Sequence, residues 1–218
     1  MEIGAVLFDL DGTLTDSGPG IINGVQYALE KFGIAPGDPS ELKAFVGPPL
    51  LSQFQAYCSF SPEESRRAVE YYREYYRETG LYENEVYEGI PELLEALKKA
   101  GRKIFMATSK PQEFAEKIAG HFGLARYFDF IGGSLMDGRR VRKSEVIEYV
   151  LDSCHMADRG QAIMVGDRDY DIIGAKEAGV RSMGVLYGYG NMEELKKAGA
   201  DVVVETPREA AEYILGSL

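Results

Sequence analysis

Positive charge is outnumbered in this chain, and cysteine is scarce. Of 218 residues, 24 are lysine or arginine against 35 aspartate or glutamate, for a formal net charge of −11. So acidic a protein lacks the basic face that nucleic acid or an anionic membrane requires, and neither partner is expected. A small phosphorylated substrate is not excluded, because it feels only the local field. The two cysteines, Cys58 and Cys154, show no paired spacing. Free thiols in a reducing cytosol are expected rather than a disulfide. His121 and His155 match no metal-ligand spacing. No apolar run is long enough to span a bilayer. The first residues carry no basic region ahead of an apolar stretch, so no secretory signal is expected. Repeats and low-complexity tracts are absent too.

What is present is a globular composition, 45% hydrophobic and 27% charged. Short apolar runs recur at Ala5–Leu10, Lys103–Ser109, Phe128–Gly133, Ala162–Asp167, Arg181–Leu186 and Asp201–Val204. Between the later runs lie helical patterns, at Pro91–Ala100, Gln112–Phe122, Glu145–Leu151 and Tyr170–Ala178. Continuous apolar strands alternating with helices predict an α/β fold with a doubly wound parallel sheet.

One gap breaks the rhythm. About ninety residues separate the first two strand runs, far more than one crossover needs. They read as helices. Ile21, Val25 and Leu29 form an apolar stripe ended by Gly33, and Leu42–Tyr57 and Pro62–Thr79 read as two more helices. Ser61 before Pro62-Glu63-Glu64 is a candidate N-cap. Tyr71/Tyr75 and Tyr72/Tyr76 are i, i+4 pairs expected to pack within a helical bundle. The expected organisation is a core of residues 1–16 and 88–218 with an inserted helical cap of residues 17–87.

Chemistry gathers at the strand ends. The first run ends in Asp9-Leu10-Asp11-Gly12-Thr13. On a strand, Asp9 and Asp11 would share a face, which is unfavourable without a cation or proton between them. Lys103–Pro111 ends in Thr108 and Ser109, then a lysine and a helix-starting proline, a setting suited to phosphate. A third run ends in Gly166-Asp167, with Asp169 and Asp171 beyond. Gly138-Arg139-Arg140-Val141-Arg142-Lys143 is a basic cluster in an acidic chain.

In this order the pieces resemble the haloacid dehalogenase superfamily, in its phosphatase branch. Asp9 to Ser17 is similar to the family's first motif, Thr108 with Ser109 to its second, Lys143 to its third, and Gly166-Asp167 with Asp171 to its fourth. The insert resembles the family's small helical cap. Phe45-Val46-Gly47-Pro48-Pro49-Leu50, Thr108 to Pro111 and Val185 to Gly190 are similar to phosphoglycolate phosphatases and related nucleotidases.

The resemblance implies a Mg²⁺-dependent phosphomonoester hydrolase. Asp9 would attack phosphorus, and Asp11 would protonate the leaving alkoxide and then activate water. Mg²⁺ would take the Asp9 and Asp167 carboxylates and the Asp11 backbone carbonyl, with Asp171 behind them or bound through water. Gly12, Thr108, Ser109, Lys143 and Gly47 would contact substrate, Lys143 offsetting phosphoryl charge, although Arg139, Arg140 and Arg142 lie close to it in sequence. A small phosphorylated metabolite is expected, phosphoglycolate first and nucleoside monophosphates second, on a cytoplasmic monomer or weak homodimer. Pyrophosphatase and sugar-phosphate mutase activities are rivals on the same scaffold, and a phosphorelay receiver-like module is a non-enzymatic one. Mutases typically carry a histidine soon after the first motif, where this chain reads Gly18-Pro19-Gly20-Ile21-Ile22.

Overall fold

The computed structural model describes residues 2–35 and 37–216. The chain divides into two compact units, one of Met1–Thr15 with Val86–Leu218 and one of Asp16–Glu85. The sequence expectation put the joints at 16/17 and 87/88. Among the described residues, no helix is long and apolar enough to cross a membrane.

The first strand, β1 (Ala5–Phe8), is fully buried. After β2 (Thr15–Asp16) the chain builds the second unit, with α1 (Gly18–Lys31), α2 (Pro39–Leu42), α3 (Leu50–Cys58) and α4 (Pro62–Tyr75). Its last turn, Tyr76–Gly80, is wider than an α-helix, and β3 (Glu85–Val86) follows and pairs with β2. The first unit then continues with α5 (Ile90–Lys99), β4 (Lys103–Pro111), α6 (Gln112–His121), β5 (Phe130–Ser134) and α7 (Lys143–Ser153). It closes with β6 (Ala162–Gly166), α8 (Asp169–Glu177), β7 (Arg181–Val185), α9 (Met192–Ala198), β8 (Val202–Val204) and α10 (Pro207–Leu215).

The six apolar runs become one parallel sheet in the order β5-β4-β1-β6-β7-β8. Side chains alternate across it. Ala5, Leu7, Phe105, Ala107, Ala162 and Met164 face Val146, Ile147, Val150 and Leu151 of α7 and Ala175 of α8 in one buried cluster. Helices α5 and α6 pack against β4. Burial on both faces explains why the runs are continuously apolar. Each fully buried Val, Leu or Phe contributes roughly 1.5–3 kcal/mol. The strand order reverses at β1, which is flanked by β4 and β6. The carboxyl ends of these three strands therefore border the crevice where open α/β sheets bind ligands.

The helical unit has its own core, including Val25, Leu29, Leu42, Phe45, Phe54, Tyr72 and Tyr76. Ser61 caps α4 as its sequence suggests, with reciprocal bonds to Glu64. The tyrosine band splits over separate packing contacts: Tyr72 stacks on Tyr76 at 5.0 Å, Tyr75 meets Tyr27 of α1 at 5.6 Å, and Tyr71 meets Phe32 edge-on at 5.8 Å. The single helix expected over Leu42–Tyr57 is corrected. The chain leaves α2 through a tight turn at Lys43–Phe45, and α3 begins only at Leu50. Gly47 at φ +101° and the Pro48-Pro49 pair break the pattern, since neither continues an α-helix.

Candidate active site

The end of β1 sets the site. Asp9 continues the strand line, its N–H donating to the Val165 carbonyl at 3.0 Å. The chain then turns sharply, and the Leu10 carbonyl accepts from the N–H groups of Thr13, Leu14 and Thr15 at 3.3, 2.9 and 3.0 Å. Asp11 sits inside this turn. The two aspartates therefore do not continue one strand side by side, and their carboxylates meet different lysines, Asp9 with Lys143 and Asp11 with Lys110. Gly12 has φ +81°, and a Cβ there would overlap the Asp167 carboxylate. Only glycine fits such a backbone so close to an acid.

Lys143, the first residue of α7, is the hub on the Asp9 side. Its buried ammonium lies 2.8 Å from Asp9 Oδ1 and 2.8 Å from Asp171 Oδ1, and donates to the Ala107 carbonyl at 3.1 Å. Burial alone would lower its pKa, but Asp171 and Asp9 outweigh that and hold it above the usual lysine value. Asp171, in the first turn of α8, accepts the Arg168 N–H on Oδ2 at 3.1 Å. Asp167, just past β6, accepts from the Thr13 hydroxyl at 3.1 Å and from the Tyr189 N–H at 2.8 Å.

Asp9, Asp167 and Asp171 are all buried, and each offers an oxygen within 4.8 Å of the others. Burial, opposed by Lys143 and reinforced by Asp171, pushes Asp9 up to about 6. Burial, then the Asp171 and Asp9 charges, pushes Asp167 up to about 8. With Asp11 counted, four carboxylates stand against two ammonium groups and leave a formal charge of −2. Hard oxygen donors with that surplus fit a divalent cation.

The other side belongs to β4. Thr108 is buried, and its hydroxyl oxygen accepts the Lys110 N–H at 3.2 Å. Ser109 beside it is half-buried. The Lys110 ammonium holds both oxygens of Asp11, at 2.8 and 2.7 Å. The rest of the basic cluster is occupied away from the acids of the site. Arg139 pairs with Asp137, Arg142 with Glu177, and Arg140 binds the Gly133 carbonyl and lies 3.5 Å over the Tyr149 ring. Lys143 is the cluster's cation that reaches Asp9. Gly47 belongs to the helical unit, in the turn before α3.

Residues 6–185 match the family model described as haloacid dehalogenase-like hydrolase. The chain belongs to the haloacid dehalogenase-like hydrolases. A 5′-nucleotidase of Pseudomonas aeruginosa is 49% identical, over 88% of this chain and 86% of its own length. A phosphoglycolate phosphatase of Vibrio parahaemolyticus is 29% identical, over 98% and 96%. A solved structure of a predicted phosphatase from Clostridium acetobutylicum has a TM-score of 0.95 and 47% identity, over 99% of this chain and 100% of that one. This haloacid dehalogenase-like hydrolase is a phosphatase.

Three partners in this candidate site have no local signal in the sequence. Lys110 falls within the Thr108 to Pro111 stretch, but that stretch assigns it no partner. Thr13 and the Tyr189 N–H, which fix Asp167, lie 154 and 22 residues from it. A hint of the second contact is Gly188-Tyr189-Gly190 after β7, since a Cβ on Gly188 would overlap the Gly12 carbonyl. Both loops close on Asp167 because both carry glycine at the contact. The half-buried Tyr187 ring packs edge-on against Tyr87 at 5.3 Å beside this loop.

Proposed function

We propose that the protein hydrolyses a small phosphate monoester, with nucleoside 5′-monophosphates the first candidates, through a phosphoryl group carried on Asp9. The observation that supports this most is the pairing of two neighbouring aspartates with two different buried lysines, Asp9 with Lys143 and Asp11 with Lys110. Two acids with one task would need no such separation.

In the first step an Asp9 oxygen bonds to phosphorus while the ester oxygen leaves and takes a proton from Asp11. In the second, water attacks the same phosphorus and gives a proton to Asp11. The Asp9–phosphorus bond breaks and inorganic phosphate departs. Lys143 stays beside Asp9 throughout and offsets the charge on the phosphoryl oxygens. Thr108, whose oxygen is already engaged by the Lys110 N–H, keeps its own hydroxyl proton to donate to a phosphoryl oxygen. Asp9 and Asp167 would hold Mg²⁺, with Asp171 at or beside the ion. When bound there, Mg²⁺ supplies a Lewis acid for a phosphoryl oxygen.

For substrate, the 49% identical relative is named a 5′-nucleotidase and the 29% identical one a phosphoglycolate phosphatase, which supports ranking nucleotides first. This reverses the order expected from sequence motifs. The test is phosphate release with Mg²⁺ from nucleoside 5′-monophosphates, phosphoglycolate, sugar phosphates and pyrophosphate. Nucleoside monophosphates should give the highest kcat/KM. A clear preference for phosphoglycolate or pyrophosphate would overturn the ranking, and no release from any ester would overturn the reading.

A further inference from the structure

Lys110 has no role in the mechanism derived so far, yet it is placed with unusual economy. It is buried near the carboxyl end of β4, and its side chain is only 4% exposed. A lysine there is costly unless its charge is met. It is met by a carboxylate 99 residues away in sequence, gripped at both oxygens at 2.8 and 2.7 Å. The strand is shaped to deliver it. The register between β4 and β5 shifts between Ala107 and Pro111, and a Cβ on Gly133 of β5 would stand 2.6 Å from the Lys110 carbonyl oxygen. Glycine at 133 lets the two strands close there. Lys110 also gives its backbone N–H to the Thr108 hydroxyl oxygen at 3.2 Å.

We propose that Lys110 is a positioning residue that aims the Asp11 carboxylate at the leaving-group oxygen, and that its backbone sets the direction of the Thr108 hydroxyl. A carboxylate in a turn can rotate about two side-chain bonds. A two-point contact from a rigid strand fixes both, and proton transfer depends steeply on such placement. Lys143 cannot serve this purpose, since its three contacts go to Asp9, Asp171 and the Ala107 carbonyl. The proposal rests on reading Asp11 as the acid for the leaving group.

The test compares Lys110→Met, Asp11→Asn and the double variant on phosphate esters whose leaving groups span good to poor. A melting curve of each in Mg²⁺ accompanies the kinetics. Asp11→Asn is the reference arm. Lys110→Met should lower kcat for poor leaving groups roughly 10- to 100-fold, change KM little, and spare the first step with good leaving groups. The double variant should be no slower than Asp11→Asn alone, because residues acting as a unit are not additive. Lys110→Gln carries the same comparison if Lys110→Met does not fold. If Asp11→Asn shows leaving-group dependence and the lysine variants do not, the role of Lys110 is overturned while that of Asp11 stands. A rise in KM confined to anionic leaving groups would make Lys110 a substrate contact and also overturn it. If Asp11→Asn itself is indifferent to the leaving group, the underlying reading of Asp11 fails instead.

Discussion

Asp9 and Asp11 lie two residues apart in sequence and live in different surroundings. Asp9 shares its lysine with Asp171 and stands in a cluster with Asp167, and its pKa is pushed up to about 6 chiefly by burial. Asp11 has both oxygens on a lysine at 2.8 and 2.7 Å and lies outside that three-carboxylate cluster. A crowded carboxylate beside a cation site suits attack on an anionic phosphoryl group, because the site can neutralise what it binds. A carboxylate fixed by one strand suits repeated proton transfer. On the proposed mechanism, one turn of chain would support two chemistries because β4 and α7 each supply a different lysine.

The largest effect should come from removing Asp9. Asp9→Asn should lower turnover by roughly 10⁴-fold or more, as loss of a nucleophile does. The same change removes a buried like charge, so the melting temperature without metal should hold or rise. Substantial turnover by the folded variant would erase the distinction between the two aspartates.

Asp11→Asn should cost less, roughly 10²–10⁴-fold with poor leaving groups. Single-turnover phosphorylation across leaving-group pKa is the measurement. A loss of equal size for every ester would assign Asp11 to organising the cation site.

The smallest effect concerns stability. Without a divalent ion, Asp167 is pushed up from 3.8 to about 8 and Asp9 to about 6, so both bind protons more tightly folded than unfolded. Their contribution to stability is fully present below about pH 4 and is lost as pH rises through 6 and then 8. A cation would replace those protons. Added Mg²⁺ should therefore raise Tm by more at pH 8 than at pH 5, by several degrees. Equal shifts at both values would place the ion elsewhere.

The legible part of the molecule was the sheet. Its strands carry continuous apolar runs because both faces are covered, and all six runs correspond to strands. Helices α9 and α10 were not read. Helix α9 has only seven residues, and α10 follows Thr206-Pro207-Arg208-Glu209, a cap, proline and acid like those that open α4. The break before α3 is marked by Gly47-Pro48-Pro49 and masked by the helical apolar spacing on either side. In the site, Asp9, Asp167, Asp171 and Lys143 were singled out from strand ends and family likeness, and they come together. Lys110 was not, because an ion pair spanning 99 residues leaves no local pattern. Likewise, the neighbours of Lys143 are equally cationic in sequence, and only burial and partners separate them.

The division of labour between the two aspartates is tested most directly by trapping. Asp11→Asn protein, mixed with an aryl phosphate and Mg²⁺ and quenched in acid, should retain the attack by Asp9 and lack the base for the second step. Peptide mass spectrometry should find one phosphoryl group, on the peptide containing Asp9, that is released by hydroxylamine. Phosphate on any other residue, or continued turnover with no covalent phosphate on the protein, would contradict the account.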